Sequence, residues 1–174
     1  IDANSNGLQA IVLTPTRELA IQVAEAIHSY AKYMKKVRVL PVYGGQSIFQ
    51  QVKHLRSGVQ IIVGTPGRVM DHIRRETIVF NQLKMVVLDE ADEMLNMGFR
   101  DDIELILKSC ATERRMLLFS ATMPDRILSL AKRYMGKFNM VQIAKQEITN
   151  VNIEQSYFEV PDRDKFDALC RVLD

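Results

Sequence analysis

Cysteine is scarce in this 174-residue chain: Cys110 and Cys170 are the two present, and they form no C-x-x-C pair. That argues against a disulfide framework or a thiolate metal site and favours two reduced thiols, as in a cytoplasmic protein. Charge of one sign is short as well, since 23 Lys and Arg face 21 Asp and Glu for a net charge of +2. A nucleic-acid partner therefore does not follow from total charge, and any basic surface must be local. No apolar run has the length to cross a bilayer, and no signal-peptide pattern opens the chain. Internal repeats and low-complexity tracts are missing too. The first residue is Ile1 rather than methionine, which suggests a piece of a longer reading frame. What the chain has in quantity is core material. Hydrophobic residues make up 47% and charged residues 25%, the balance of a packed domain rather than a disordered chain. The length fits one domain, with room for a small part of a second.

Short apolar runs alternate with helical periodicity. Strands are expected at Ala10–Leu13, Val37–Tyr43, Val59–Val63, Met85–Leu88 and Met116–Phe119. Between and after them, helices are expected at Arg17–Tyr33, Ile48–Ser57, Val69–Arg75, Phe99–Lys108 and Asp125–Met135. In the first of these, Leu19, Val23 and Ile27 share one stripe. Nearly continuous apolar strands alternating with helices predict an α/β fold: a mostly parallel sheet with helices on both faces. Right-handed crossovers then set all strand C-termini along one edge, where such sheets bind ligands.

Polar residues cluster at those strand ends. Thr14-Pro15-Thr16-Arg17 follows the first strand and Gly64-Thr65-Pro66-Gly67-Arg68 the third. In each, Thr14 or Thr65 is expected to cap a helix whose first position is proline. A helix start of that kind offers free backbone N–H groups and a positive dipole end, suited to phosphate. Two ordinary strand-to-helix turns would look the same. Met85–Leu88 leads into Asp89-Glu90-Ala91-Asp92. Nucleoside-triphosphate chemistry needs such a strand end, with Asp89 holding Mg²⁺ through its water shell and Glu90 positioning and deprotonating a water. A plain helix N-terminus with favourable charge is the other reading. Ser120-Ala121-Thr122 after the last strand can bond neighbouring carboxylates, or can simply satisfy a turn before Pro124.

Taken together, in order and spacing, Pro15–Leu19 (PTREL), Gly44-Gly45, Thr65–Arg68 (TPGR), Asp89–Asp92 (DEAD) and Ser120–Thr122 (SAT) resemble the motifs of the DEAD-box helicases. The resemblance runs over nearly the whole chain, including Gly98-Phe99. In detail it is most similar to the bacterial cold-shock and ribosome-assembly members, with the translation-initiation type a near relative. It implies a RecA-like domain of the P-loop NTPase type, ATP-dependent unwinding of RNA, and ATP and Mg²⁺ as cofactors. The implied partner is RNA read through its backbone, with association to ribosomes or other ribonucleoproteins also open. By this resemblance RNA is held by Pro15, Thr16, Arg17, Gly44, Gly45, Thr65, Pro66, Gly67 and Arg68, with Arg17, Gly45, Thr65 and Arg68 foremost. Asp89 serves Mg²⁺, Glu90 the water, and Asp92 the link to Ser120 and Thr122.

The departures matter equally. No G-x-x-x-x-G-K-[ST] occurs in the chain. The family's P-loop, its lysine and the strand carrying them are therefore expected to lie outside it, leaving exposed strand edges. Residues 1–144 are read as an incomplete N-terminal RecA-like domain, 145–151 as a linker and 152–174 as the opening of a second such domain. That opening is read as a strand at Ile153–Val160 and a helix at Lys165–Leu173. It is too small for a core of its own, and is expected to pack on the first domain or stay mobile. His28, His54 and His72 are isolated and read as surface or packing residues. The basic cluster at Lys32–Arg38 reads as a solvated loop or a further RNA contact. Three functions stay in play: part of an RNA helicase; an inactive RNA-contacting fragment; or an ATPase acting on something other than RNA, against which the paired Thr-Pro elements argue.

Overall fold

The computed structural model describes residues 1–34, 36–142, 153 and 156–173. The chain divides into two units, Ile1–Phe138 and Asn139–Asp174. In the first, strand and helix alternate as β1 (Ala10–Leu13), α1 (Arg17–Tyr30), β2 (Val39–Val42), α2 (Ile48–Arg56), β3 (Ile61–Gly64) and α3 (Pro66–Arg74). They continue as β4 (Met85–Leu88), α4 (Ala91–Asn96), α5 (Arg100–Ser109), β5 (Arg115–Leu118) and α6 (Asp125–Met135). The expected helices and strands are there, with ends moved by a few residues. Helix α3, for instance, starts at Pro66 rather than Val69, because proline at the first helical position costs no hydrogen bond.

All five strands are parallel, in the order β2-β3-β1-β4-β5. Their register is flush. Leu13 lies opposite both Gly64 and Leu88, which pair onward with Val42 and Leu118. The period of two sends alternate residues to opposite faces of the sheet. Ile11, Leu13, Ile62, Val86 and Leu88 meet Val69 and Met70 of α3, Ile103 and Ile106 of α5, and Ile127 of α6. Val12 and Val63 face the other way, onto Ala20 and Ala24 of α1. Gly64 is held to glycine by this packing. A Cβ there would stand 2.7 Å from the Val42 carbonyl oxygen and 2.8 Å from Val69 Cγ2.

The sheet runs from β2 to β5 without a break, so the expected loss of an interior strand opens no gap among these five. Strand β5 is an edge, and Leu117 and Phe119 on and beside it are 43% and 54% exposed. Cys110 is buried and its thiol donates to the Ile106 carbonyl; burial pushes its pKa up to about 11, which keeps it unreactive.

In the second unit a 3₁₀ turn at Asp162–Asp164 leads into α7 (Lys165–Leu173), the helix expected there. None of its residues is buried. The strand expected at Ile153–Val160 is not formed over 156–160, since an isolated strand has no neighbour to take its hydrogen bonds. Residues 154–155 and the expected linker at 145–151 lie outside the described residues.

Candidate functional site

Flush register brings five turns into one row at the C-terminal edge of the sheet. Across the sheet they run Tyr43–Gln46 after β2, Thr65–Arg68 after β3, Thr14–Arg17 after β1, Asp89–Asp92 after β4 and Phe119–Thr122 after β5. The strand order therefore sorts the row chemically. Three adjoining turns carry glycines, helix starts and arginines, while the remaining two carry carboxylates and hydroxyls.

In the basic half, Thr14 does not cap α1 as expected. Its N–H still bonds the Gly64 carbonyl, so its backbone belongs to the sheet, and its side chain is fully buried. The chain needs two more residues to turn, and Thr16 is the cap, its hydroxyl accepting from the Leu19 N–H at 3.2 Å. Pro15 is buried beneath this turn, and Arg17 projects to solvent beside Glu18, 2.5 Å away. Thr65 is the N-cap of α3 without a side-chain cap bond, and Pro66 holds the first helical position. The next residue, Gly67, has no atom within 4 Å of where a Cβ would stand, so an anion has room to approach its backbone. Gly44 and Gly45 are exposed in the turn after β2. Gly45 has φ +85°, a left-handed conformation that favours glycine, and its missing Cβ would point to within 3.8 Å of Arg17 Nη1. Arg68 closes the group: its Nη1 donates to the Gln46 carbonyl at 2.9 Å and to Gln51 Oε1 at 3.1 Å.

In the acidic half, Asp92 is buried at the start of α4. Its Oδ2 accepts from the N–H and the hydroxyl of Thr122, at 2.9 and 2.7 Å. The Asp92 N–H donates to Ser120 Oγ, and that hydroxyl donates to the Thr122 carbonyl. Burial pushes against the charge of Asp92. The Thr122 hydroxyl and the backbone N–H groups of Thr122 and Glu93 outweigh it, so the carboxyl lies below its ordinary value. Asp89 and Glu90 stand free of this knot. Glu90 is exposed and sits in the left-handed region, at φ 49° and ψ 50°. Such a backbone costs a non-glycine residue on the order of 1–3 kcal/mol and persists where neighbours enforce it. Here they do: Asp89 N–H bonds the Leu13 carbonyl at 2.9 Å and Ala91 N–H the Phe119 carbonyl at 3.0 Å. Glu90 is thus pinned on both sides and turned out of the strand line.

One peptide group joins the two halves. The Leu13–Thr14 peptide accepts from Asp89 through its carbonyl and donates to the Gly64 carbonyl through its N–H, at 2.9 and 3.0 Å.

Sequence reading passed over Gln51 and left His72 as a surface or packing residue; both are buried under the basic half, at 1% and 0% exposure. The available signal was a polar residue on each apolar stripe: Gln51 among Ile48, Val52 and Leu55, and His72 among Val69, Met70 and Ile73. Among the described residues, no group of three or more His, Cys, Asp or Glu converges to hold a metal by itself. No helix there is long and apolar enough to cross a membrane.

Known proteins are similar to this chain in sequence and in fold. The sequence model of the DEAD/DEAH box helicase family matches residues 1–130. The ATP-dependent RNA helicase CshA of Listeria monocytogenes is 52% identical over 174 residues, 100% of this chain and 33% of that protein. A probable ATP-dependent RNA helicase of Methanocaldococcus jannaschii is 54% identical over 169 residues, 97% of this chain and 44% of that protein. Among solved structures, a DEAD box protein from Methanococcus jannaschii aligns with a TM-score of 0.75 and 51% identity, over 99% of this chain and 46% of that one. A hypothetical ATP-dependent RNA helicase from Sulfolobus tokodaii aligns at 0.71 and 39%, over 76% of this chain and 40% of that one. In each case the chain spans less than half of its relative.

Proposed function

The chain belongs to the DEAD/DEAH box helicase family, and on that premise we propose that it forms the RNA-facing and water-activating part of an ATP-dependent RNA helicase. Its parallel sheet is the family's RecA-like domain. The observation that supports the proposal is the sorting of one sheet edge into a half with glycines, helix starts and arginines and a half with carboxylates and hydroxyls.

In the basic half, the Gly67 N–H, the open Gly44-Gly45 turn and the Arg17 and Arg68 guanidiniums receive the phosphates of an RNA strand. Thr65 and the Pro15–Thr16 and Pro66 turns hold those donors in place. Contacts of this kind position a strand without reading its bases. In the acidic half, Glu90 orients the attacking water and takes its proton. Its exposed carboxylate, turned outward by the left-handed backbone, suits that role. Asp92, knotted to Ser120 and Thr122, fixes the neighbouring turn to α4. The residues present also fit Mg²⁺. A hydrated ion takes one or two carboxylates plus phosphate oxygens rather than a protein cage, and Asp89 offers one such carboxylate. When bound, ATP with Mg²⁺ supplies the γ-phosphoryl group and neutralises its charge. The phosphate cradle comes, in this reading, from sequence outside the chain, so the isolated chain contacts RNA without turning over ATP. A cytoplasmic location and association with ribonucleoproteins belong to the same proposal. They draw support from the likeness to CshA and the sparse cysteines.

The test is RNA-stimulated ATP hydrolysis by the full-length protein and its Glu90→Gln variant. Turnover should fall on the order of 10²–10⁴-fold with ATP binding retained. Hydrolysis near the wild-type rate in the variant would remove Glu90 as the base. Equal affinity for RNA and DNA of one sequence would remove RNA as the substrate, because only RNA offers a 2′-hydroxyl.

A further inference from the structure

Gln51 lies inside the first unit, behind the basic half of the site, and every hydrogen-bonding position of its amide is used. Its nitrogen donates to the Tyr43 carbonyl at 3.1 Å and to Gln46 Oε1 at 2.9 Å. Its oxygen accepts from Arg68 Nη1 at 3.1 Å and from His72 Nε2 at 2.8 Å. That pattern fixes both the amide orientation and the imidazole tautomer, for a flipped amide would set donor against donor at Arg68. His72 therefore carries its proton on Nε2 when neutral, and Nδ1 faces the Thr77 hydroxyl at 2.8 Å. Burial, with Arg68 and Arg75 beside it and Asp71 opposing, holds the ring's pKa below its ordinary value. The consequence is geometric. Tyr43 and Gln46 bracket the Gly44-Gly45 turn, and Arg68 ends the Thr65–Arg68 turn. One buried side chain thus bonds to both turns, which follow different strands.

We propose that Gln51, seated on His72, is a positioning residue for RNA binding: it aims the Arg68 guanidinium and locks the Gly44-Gly45 turn against it, so that one phosphate backbone meets both. The pair touches no RNA itself. A guanidinium held at Nη1 by Gln51 and Gln46 keeps Nη2 without a protein acceptor among the described residues, and Nη2 is the nitrogen offered to phosphate. Without Gln51 the Arg68 side chain keeps only the Gln46 carbonyl and Asp71, 3.8 Å from its Nε, and its looser hold costs part of its affinity in ordering. This inference rests on the RNA-binding role of the basic half.

The experiment is a double-mutant cycle in the full-length protein. Affinity is read with a fluorescein-labelled oligouridylate and a non-hydrolysable ATP analogue, alongside thermal unfolding of each variant. Arg68→Ala should weaken RNA binding about tenfold. Gln51→Ala should weaken it about fivefold in the wild-type background and less than twofold in the Arg68→Ala background, since the residue it positions is then gone. Each variant should remain folded at the assay temperature, with Gln51→Ala costing more stability in the wild-type background, where it also breaks the Gln51–Arg68 hydrogen bond. His72→Gln, which keeps a donor toward Gln51, should bind RNA within about twofold of wild type, while His72→Leu should behave like Gln51→Ala. Equal losses from Gln51→Ala with and without Arg68 would overturn the positioning role and leave Gln51 a fold residue. If Arg68→Ala leaves RNA affinity unchanged, the basic half is not the RNA face, and the inference falls with that reading.

Discussion

His72 shows what a single buried titratable side chain does to the pH range of a protein. Its folded pKa is lowered, first by burial, then by Arg68 against Asp71, with Arg75 adding to the shift. In the unfolded chain the ring takes up a proton near its ordinary 6.5, where the folded chain still refuses one. The stability present above 6.5 is therefore lost as pH falls from that value toward the lower folded one. The urea midpoint of the wild type should drop between about pH 7 and about pH 5 by more than that of His72→Gln, which cannot titrate. Parallel midpoints for the two proteins over that range would show that His72 is not the group responsible. Asp92 has the same sign at lower pH: its contribution stands above the ordinary 3.8 and is lost as pH falls below it. The sequence announced Asp92 through its place in Asp89–Asp92, yet it did not announce His72. A lone histidine in a helix has no spacing to read, and its partners Gln51 and Thr77 lie 21 and 5 residues away.

At the level of elements, strand β3 and helix α3 meet at Gly64, where the sheet and the helix leave no room for a side chain. Gly64→Ala forces a Cβ against the Val42 carbonyl and Val69. Overpacking of this sort costs on the order of 1–3 kcal/mol. Gly67→Ala has open space and gains helix propensity, so it should be neutral or stabilising by a few tenths to about 1 kcal/mol. Chemical denaturation of the two variants tests the contrast, and equal midpoints would refute it. Elements were also the scale at which sequence patterning was most readable. Ala10–Leu13, Met85–Leu88 and Asp125–Met135 appear with the ends that their apolar runs and periodicity marked. Where patterning failed, a hydrogen bond decided. Thr14 reads as a cap beside Pro15, but its N–H is claimed by Gly64, a residue distant in sequence, so the cap moves to Thr16. Ile153–Val160 reads as a strand, but strandness is a property of a pair and 156–160 have no partner strand.

Across the whole first unit, the order β2-β3-β1-β4-β5 is what turns five scattered motifs into one surface, and that order is not written in any local pattern. The motifs alone gave the family; long-range pairing decided which turns became neighbours. Only the β1–β4 ladder joins the basic strands to the acidic ones within the sheet. At its end lies the Leu13–Thr14 peptide, bonded to Asp89 on one side and Gly64 on the other. Hydrogen bonds on the two ends of one peptide polarise each other. In spectroscopic language, the Thr14 amide proton is a reporter with two inputs. On the proposed assignment its resonance should move when nucleotide binds and again when RNA binds, although Thr14 itself is fully buried. A Thr14 shift that answered to one ligand alone would mean that the two halves merely share an edge and exchange nothing through it.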